Sequence, residues 1–176
     1  MSSSHTIVAR TERLTIRALT LDDVDDLFEI LGDPIAMEHY PAPKTRPETK
    51  SWIRWAVHSY AGNGFGLWAI ERTADGAFLG DCGPMLQPVE GELVPEIGYH
   101  VVPREWGRGY ATEAALACRE IVLGRLGFDR VVSIVAPENL ASRRVAEKVH
   151  ETMREFMWEK GGRTMCLYES RRRATT

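Results

Sequence analysis

One stretch constrains this chain more than any other: Val101-Val102-Pro103-Arg104-Glu105-Trp106-Gly107-Arg108-Gly109-Tyr110-Ala111-Thr112-Glu113-Ala114. An extended run ends, glycines follow, and a helical pattern begins at once. Glycines permit positive φ and let backbone approach a ligand closely. The first turn of a helix carries unpaired N–H groups and a partial positive charge, so it attracts phosphate. Arg108 adds a cation beside those amides. A Rossmann fingerprint needs a third glycine where Thr112 stands, and a P-loop needs Gly-Lys-Ser/Thr, which is absent. Spacing alone leaves two readings open: an anion-binding loop, or a plain tight turn with helix capping.

The elements around the loop set the fold class. Thr11 to Ala18 alternates as a strand. Thr20 and Asp23 have capping-box spacing before a helix from Leu21 to Leu31, which Gly32-Asp33-Pro34 ends. Thr45, Pro47 and Glu48 open a second helix through Trp52, Trp55, Ala56 and Tyr60, stopped by Gly62-Asn63-Gly64. Gly66 to Thr73 and Ala77 to Leu86 flank the hairpin signal Ala74-Asp75-Gly76. Glu92 to Val102 is a third extended run, closed by Pro103. The helix after the glycine loop reads from about Tyr110 to Leu126, with Ala111, Ala114 or Ala115, Cys118, and Ile121 or Val122 inward. A β-branched strand, Asp129 to Ala136, leads to a helix opened by Pro137-Glu138-Asn139 and running to about Val149. Glu151 to Trp158 and Arg163 to Glu169 form a last hairpin about Lys160-Gly161-Gly162.

Antiparallel hairpins joined to one strand–helix–strand crossover predict an α+β fold, a mixed and mostly antiparallel sheet flanked by helices. With no repeat or linker, the chain reads as a single domain over 1–176, with its core at about 8–170.

Composition narrows the function classes. A net charge of −3 gives no general electrostatic case for nucleic acid or a membrane surface. The run Arg171-Arg172-Arg173 reads as a solvated tail. Cys82, Cys118 and Cys166 are dispersed and odd in number, so neither a disulfide framework nor a Cys-x-x-Cys metal site is expected. That favours a reducing, cytoplasmic setting. Met1 to His5 lacks the apolar run of a signal peptide, and no segment has membrane-spanning length.

The glycine loop resembles motif A of the GNAT acyltransferases, Q/R-x-x-G-x-G/A. Trp106, Gly109 and Ala111 fall on its defined positions; Gly109 and Ala111 match, and Trp106 replaces Gln or Arg. The longer string Trp-Gly-Arg-Gly-Tyr-Ala-Thr-Glu-Ala is similar to the RimJ/RimL-like branch, the ribosomal-protein N-terminal acetyltransferases and their relatives. Thr11-Glu12-Arg13-Leu14, Phe78-Leu79-Gly80-Asp81 and Asn139-Leu140-Ala141-Ser142 with the helix that follows resemble the same branch. Val149-His150-Glu151 departs from its usual Gly-Phe. The resemblance implies a GNAT fold, acetyl-CoA as co-substrate, no metal, and an amine acceptor, either a protein N-terminus or a small molecule. A monomer or homodimer is expected with it.

It also implies roles. The loop amides at Gly107, Arg108, Gly109, Ala111 and Thr112 would hold the CoA pyrophosphate. Backbone groups at Val101 and Val102 would bind the thioester and pantetheine. Asn139 would contact the pantetheine arm, and Ser142 would lie near the sulfur, where it could protonate the leaving thiolate. Ser142 also reads as an ordinary first-turn serine, and Ala146 occupies a position that is Tyr in many GNAT enzymes. Amine acetylation needs a neutral amine and a stabilised thioester oxygen, which positioning can supply in a direct sequential attack. Glu96, on the strand feeding the loop, is the first candidate base; His100, on the same face by period-two alternation, is its rival. Trp52, Trp55, Tyr60 and Trp68 read more simply as core than as a substrate box, and His39-Tyr40-Pro41 as a pocket rim. The alternative to an enzyme is a CoA-binding sensor or partner-binding module without catalysis.

Overall fold

The computed structural model describes residues 6–173. The reading of Met1 to His5 therefore falls outside the described residues. In chain order the elements are β1 (Ile7–Arg10), β2 (Leu14–Ala18), α1 (Val24–Leu31), α2 (Arg46–Asn63), β3 (Trp68–Arg72), β4 (Phe78–Val89), β5 (Glu92–Val101), α3 (Tyr110–Glu120), β6 (Arg130–Val135), α4 (Leu140–Val149), β7 (Thr152–Trp158) and β8 (Arg163–Arg171). The strands form one sheet in the order β1-β2-β3-β4-β5-β6-β8-β7. Every neighbouring pair is antiparallel except β5 and β6. This is the α+β architecture that the strand order predicted. Among the described residues, no helix is long and apolar enough to cross a membrane.

Local signals account for most element ends. Thr20 and Asp23 form a reciprocal capping box before α1, and Thr45 and Glu48 form another before α2. Asp23 also receives both terminal nitrogens of the buried Arg17, at 2.7 and 2.9 Å. Arg17 pairs with Glu71 as well, so β2, β3 and the entry to α1 share one cluster in which a single guanidinium serves two carboxylates. Gly64, in a left-handed conformation, ends α2.

Two boundaries differ from the sequence reading for identifiable reasons. Thr11 to Arg13 is a tight turn rather than strand: Thr11 N–H donates to Leu14 O at 2.9 Å, and Leu14 N–H donates to Thr11 Oγ1 at 3.0 Å. This turn sets off the edge strand β1, which lies ahead of the strand read from the sequence at Thr11 to Ala18 and was not part of it. β4 runs past Leu86 to Val89 despite Pro88. Counting back along the ladder from Val102 N–H on Leu79 O, the alternation of antiparallel pairs puts Pro84, Pro88 and Pro95 at non-hydrogen-bonded positions. Their missing N–H groups cost the β4–β5 ladder nothing.

The sheet has a core on each face. Leu14, Ile16, Ile70, Ile97, Tyr110 and Cys118 pack under α3, whereas Leu27, Leu31, Ile53 and Leu67 pack under α1 and α2. The helix after the loop ends in a wide turn at Ile121–Arg125, with Leu126 N–H on Ile121 O. The β5–β6 junction positions the site. Those strands share a single register pair, Glu96 with Val132, and Ser133 Oγ donates to Ile97 O at 3.0 Å. Beyond that point β5 continues to Val101 without a partner on its β6 side, and the sheet opens into a V.

Candidate functional site

The V, the glycine loop and the starts of α3 and α4 enclose a cleft of about 450 Å³. Its floor at the loop end is made of Gly107, Gly109, Ala111 and Thr112. Gly107 and Gly109 have φ of +75° and +83°, a conformation that disfavours any side chain. No side chain caps α3. Its first amides therefore remain as donors facing an open concavity, which is the arrangement an anion requires. Of the two readings that spacing left open, this geometry fits the anion-binding loop, since no side chain takes up the first amides of the helix.

Arg108 does not line the cleft. Its guanidinium, mostly exposed, pairs with Glu105 at 3.3 Å, and its carbonyl accepts Arg13 Nη1 at 2.9 Å. Arg13 is one part of a buttress that the sequence reading missed. Glu113 Oε1 accepts Thr11 Oγ1 at 2.6 Å and Arg13 N–H at 2.8 Å, and Glu113 Oε2 accepts Arg13 Nε at 2.7 Å. The Arg13 guanidinium also lies 4.6 Å from the centre of the Tyr110 ring. The available signal was the Thr-Glu-Arg-Leu and Thr-Glu-Ala strings, each noticed separately but not as partners. These bonds hold the Glu113 carboxyl below its usual range: burial opposes, and the bonds from Thr11 and Arg13 outweigh it.

Trp106 has a role of its own. Its indole Nε1 donates to Val101 O at 2.6 Å, tying the loop to the end of β5. Val101 lines the cleft, and the ladder alternation aims its N–H into the V. Val102 does not offer a donor: its N–H is spent on Leu79 O at 2.9 Å and the residue is buried.

On the α4 side, Asn139 and Ser142 both line the cleft. Asn139 Oδ1 caps α4 by accepting Ser142 N–H at 3.0 Å, which leaves its amide nitrogen for a ligand. Ala146 is buried and offers no polar group. A phenol nevertheless reaches this corner from the sheet, since Tyr99 O–H donates to Ser142 O at 2.8 Å. Tyr99 is opposite in pleat to His100, so alternation alone placed it on this face.

The two candidate bases are on the other face of β5, but in different settings. Glu96 is at the vertex of the V and is absent from the cleft wall. Its Oε1 accepts Ile134 N–H at 3.3 Å. Burial pushes its pKa up to about 7, against the opposing pull of a Gln87 bond, the Ile134 amide and the charges of Lys160 and His100. His100 lines the cleft. Its Nδ1 is 2.7 Å from Oδ1 of the fully buried Asp81, and its Nε2 is 2.8 Å from the Tyr40 hydroxyl. Trp52 Nε1 donates to the other Asp81 oxygen at 3.1 Å. Trp52 is thus a bracket for Asp81, and Tyr40 stands on the cleft rim where the sequence placed it.

Comparison with known proteins agrees with this geometry. The acetyltransferase (GNAT) domain family matches residues 13–151. The uncharacterized protein YkkB of Bacillus subtilis (strain 168) is 37% identical over 162 residues, covering 90% of this chain and 92% of its own length. An acetyltransferase from Agrobacterium tumefaciens str. C58 superposes with a TM-score of 0.81 at 27% identity, over 97% of this chain and 95% of that one. RimL, a ribosomal L7/L12 α-N-protein acetyltransferase solved with coenzyme A, shares the fold at a TM-score of 0.73 and 18% identity, over 94% and 97% of the two chains. An uncapped helix start facing a split sheet, together with a family match over most of the chain, defines an acyltransferase of the GNAT type. The chain belongs to the GNAT acetyltransferase family, and its activity is acetyl transfer.

Proposed function

We propose that the protein transfers the acetyl group of acetyl-CoA directly to a primary amine, on a small molecule or a protein N-terminus, with both substrates bound together. The observation that carries this reading is the single continuous cleft, which joins uncapped amides at Ala111 and Thr112 to the free N–H of Val101 and on to His100. In it, Gly107, Gly109, Ala111 and Thr112 hold the pyrophosphate by backbone donors. Asn139 meets the pantetheine arm, and Val101 N–H meets the thioester oxygen as charge develops there. Ser142 and the nearby Tyr99 hydroxyl are the groups placed to meet the departing thiolate. RimL, which shares the fold, binds coenzyme A.

Deprotonation of the amine falls to the face of β5 that carries Glu96 and His100. Glu96, at about 7, has a carboxyl suited to taking a proton at neutral pH, and it stands at the vertex of the V. His100 stands on the wall itself. The test is release of free thiol from acetyl-CoA across a panel of amines and peptides, with CoA binding measured in parallel. Thiol release with at least one amine is expected; CoA binding without turnover on any acceptor rejects the reading.

A further inference from the structure

Three polar side chains from three segments stand in line on the acceptor side of the cleft: Asp81 from β4, His100 from β5, and Tyr40 from the connection between α1 and α2. A carboxylate only accepts, so the bond to Asp81 Oδ1 puts the imidazole proton on Nδ1. The neutral ring then has its lone pair at Nε2, and Nε2 faces Tyr40 Oη at 2.8 Å. In that form of the ring Tyr40 donates its hydroxyl proton to His100. The stack is supported by ring contacts, with centroids 5.3 Å apart for Tyr40 and His100 and 6.2 Å for Trp52 and His100. The line runs from the interior outward: the Asp81 side chain is fully buried and that of His100 nearly so, and Tyr40 is partly exposed as a residue with its hydroxyl turned inward onto His100, where burial raises its pKa. Tyr40 and His100 both line the cleft, and the Tyr40 hydroxyl is seated on Nε2, so that nitrogen is reached from the cleft by way of the phenol oxygen.

We propose that Tyr40 is the proton-accepting hydroxyl of the acetyl transfer, passing each proton to His100, with Asp81 as the positioning residue that fixes the tautomer. This rests on the acetyl-transfer reading and names the route by which its amine is made nucleophilic. An N–H bond of the substrate ammonium breaks as its proton goes to Tyr40 Oη. The Tyr40 O–H bond breaks in the same movement, and that proton goes to His100 Nε2. The imidazolium so formed faces the carboxylate of Asp81 across β4, that of Glu96 along its own strand, and the Tyr40 phenol; no cation lies against it in these contacts. The neutral amine forms the C–N bond, the C–S bond breaks, and the second nitrogen proton goes to the thiolate. His100 returns its proton through Tyr40 to solvent when product leaves. The stretch Phe78-Leu79-Gly80-Asp81, which had no role in the sequence reading, acquires one: it carries the buried end of the relay.

Tyr40→Phe tests the idea, since it removes one oxygen and keeps the ring against His100. With the most active amine of the panel, kcat is expected to fall about a hundredfold, while CoA dissociation constant and acetyl-CoA KM stay within about twofold. Asp81→Asn should move the acid limb of the kcat/KM profile down by about one pH unit or more, because the imidazolium loses its facing charge. Nitrogen-15 NMR of the wild type reads the tautomer without any turnover: a proton on Nδ1 and a bare Nε2 are expected. Wild-type kcat in Tyr40→Phe overturns the relay and leaves proton removal to His100 or Glu96 directly. A proton found on Nε2 also overturns it. Absence of thiol release from the wild type with every amine overturns acetyl transfer to amines instead, and the NMR result then judges the hydrogen-bonded chain by itself.

Discussion

Arg13 and Glu113 lie a hundred residues apart in sequence, yet one carboxylate takes both the backbone N–H and the side-chain Nε of Arg13, at 2.8 and 2.7 Å. Through Arg13 Nη1 on Arg108 O, this pair fixes the curvature of the loop that presents its amides to the cleft. Charge-assisted bonds of this kind contribute about 1.5–3 kcal/mol each when lost singly. Glu113→Gln is expected to raise the acetyl-CoA KM about tenfold with kcat changed less than threefold. Steady-state kinetics checks the split; a fall in kcat alone would show that the buttress acts elsewhere.

Glu96 makes stability depend on pH in one direction. Its folded value of about 7 lies above the ordinary carboxylate range, so the folded protein holds this proton longer than the unfolded chain. The contribution is fully present below about pH 4.5 and is lost as pH rises through about 7, worth about 3 kcal/mol at most. Glu96→Gln removes the ionisation. Thermal melts should show the variant gaining on the wild type between pH 6 and 8, by about 3–5 °C. Parallel curves across that range would contradict the buried setting.

His150 acts in the opposite sense. Burial, with Arg119 nearby, lowers its pKa to about 4, and its nitrogens meet Ser170 Oγ at 3.1 Å and Ser133 Oγ at 3.0 Å. Here the unfolded chain takes up the proton first as pH falls, so stability is lost from about pH 6.5 down to about 4. His150→Gln keeps a donor and an acceptor and cannot ionise, so it should flatten the melting curve between pH 7 and 5. His150→Ala, which takes one partner from each hydroxyl and opens space, should cost about 2 kcal/mol or more at pH 7.

Gly80 is the backbone position least open to change. A Cβ there would lie 1.9 Å from His100 O, and φ is +152°. Gly80→Ala forces β4 away from β5 beside Asp81 and His100, at an expected cost of about 3 kcal/mol or more. Denaturant titration measures it; a loss below 1 kcal/mol would mean that the two strands adjust freely.

What the sequence made legible was local. Capping boxes at Thr20 and Thr45, the turn at Ala74-Asp75-Gly76 and the glycine loop each announce themselves through neighbours a few residues away. Of the residues named for the site, Val101, Gly107, Gly109, Ala111, Thr112, Asn139 and Ser142 line one cleft. What stayed hidden was the pairing of distant residues: Thr11 and Arg13 with Glu113, Asp81 with His100 and Tyr40, and Tyr99 with Ser142. None of these has a period or a spacing, because each is created by strand order. Val102 shows the same limit from the other side. Its place at the strand end was readable, but which way its N–H points follows from the ladder partner, Leu79.

The single register pair between β5 and β6 leaves the sheet as two panels joined by a short seam, β1 to β5 on one and β6, β8 and β7 on the other. Main-chain bonds therefore do not set how far the panels stand apart along the rest of the seam. Helix α4 does, because it is fastened to both: Tyr99 of the first panel holds Ser142 O, and Arg143 Nε donates to Tyr168 Oη of the second at 3.1 Å. The helix works as a spacer bar, and the gap through which acyl donor and acceptor meet is as wide as its two fastenings make it.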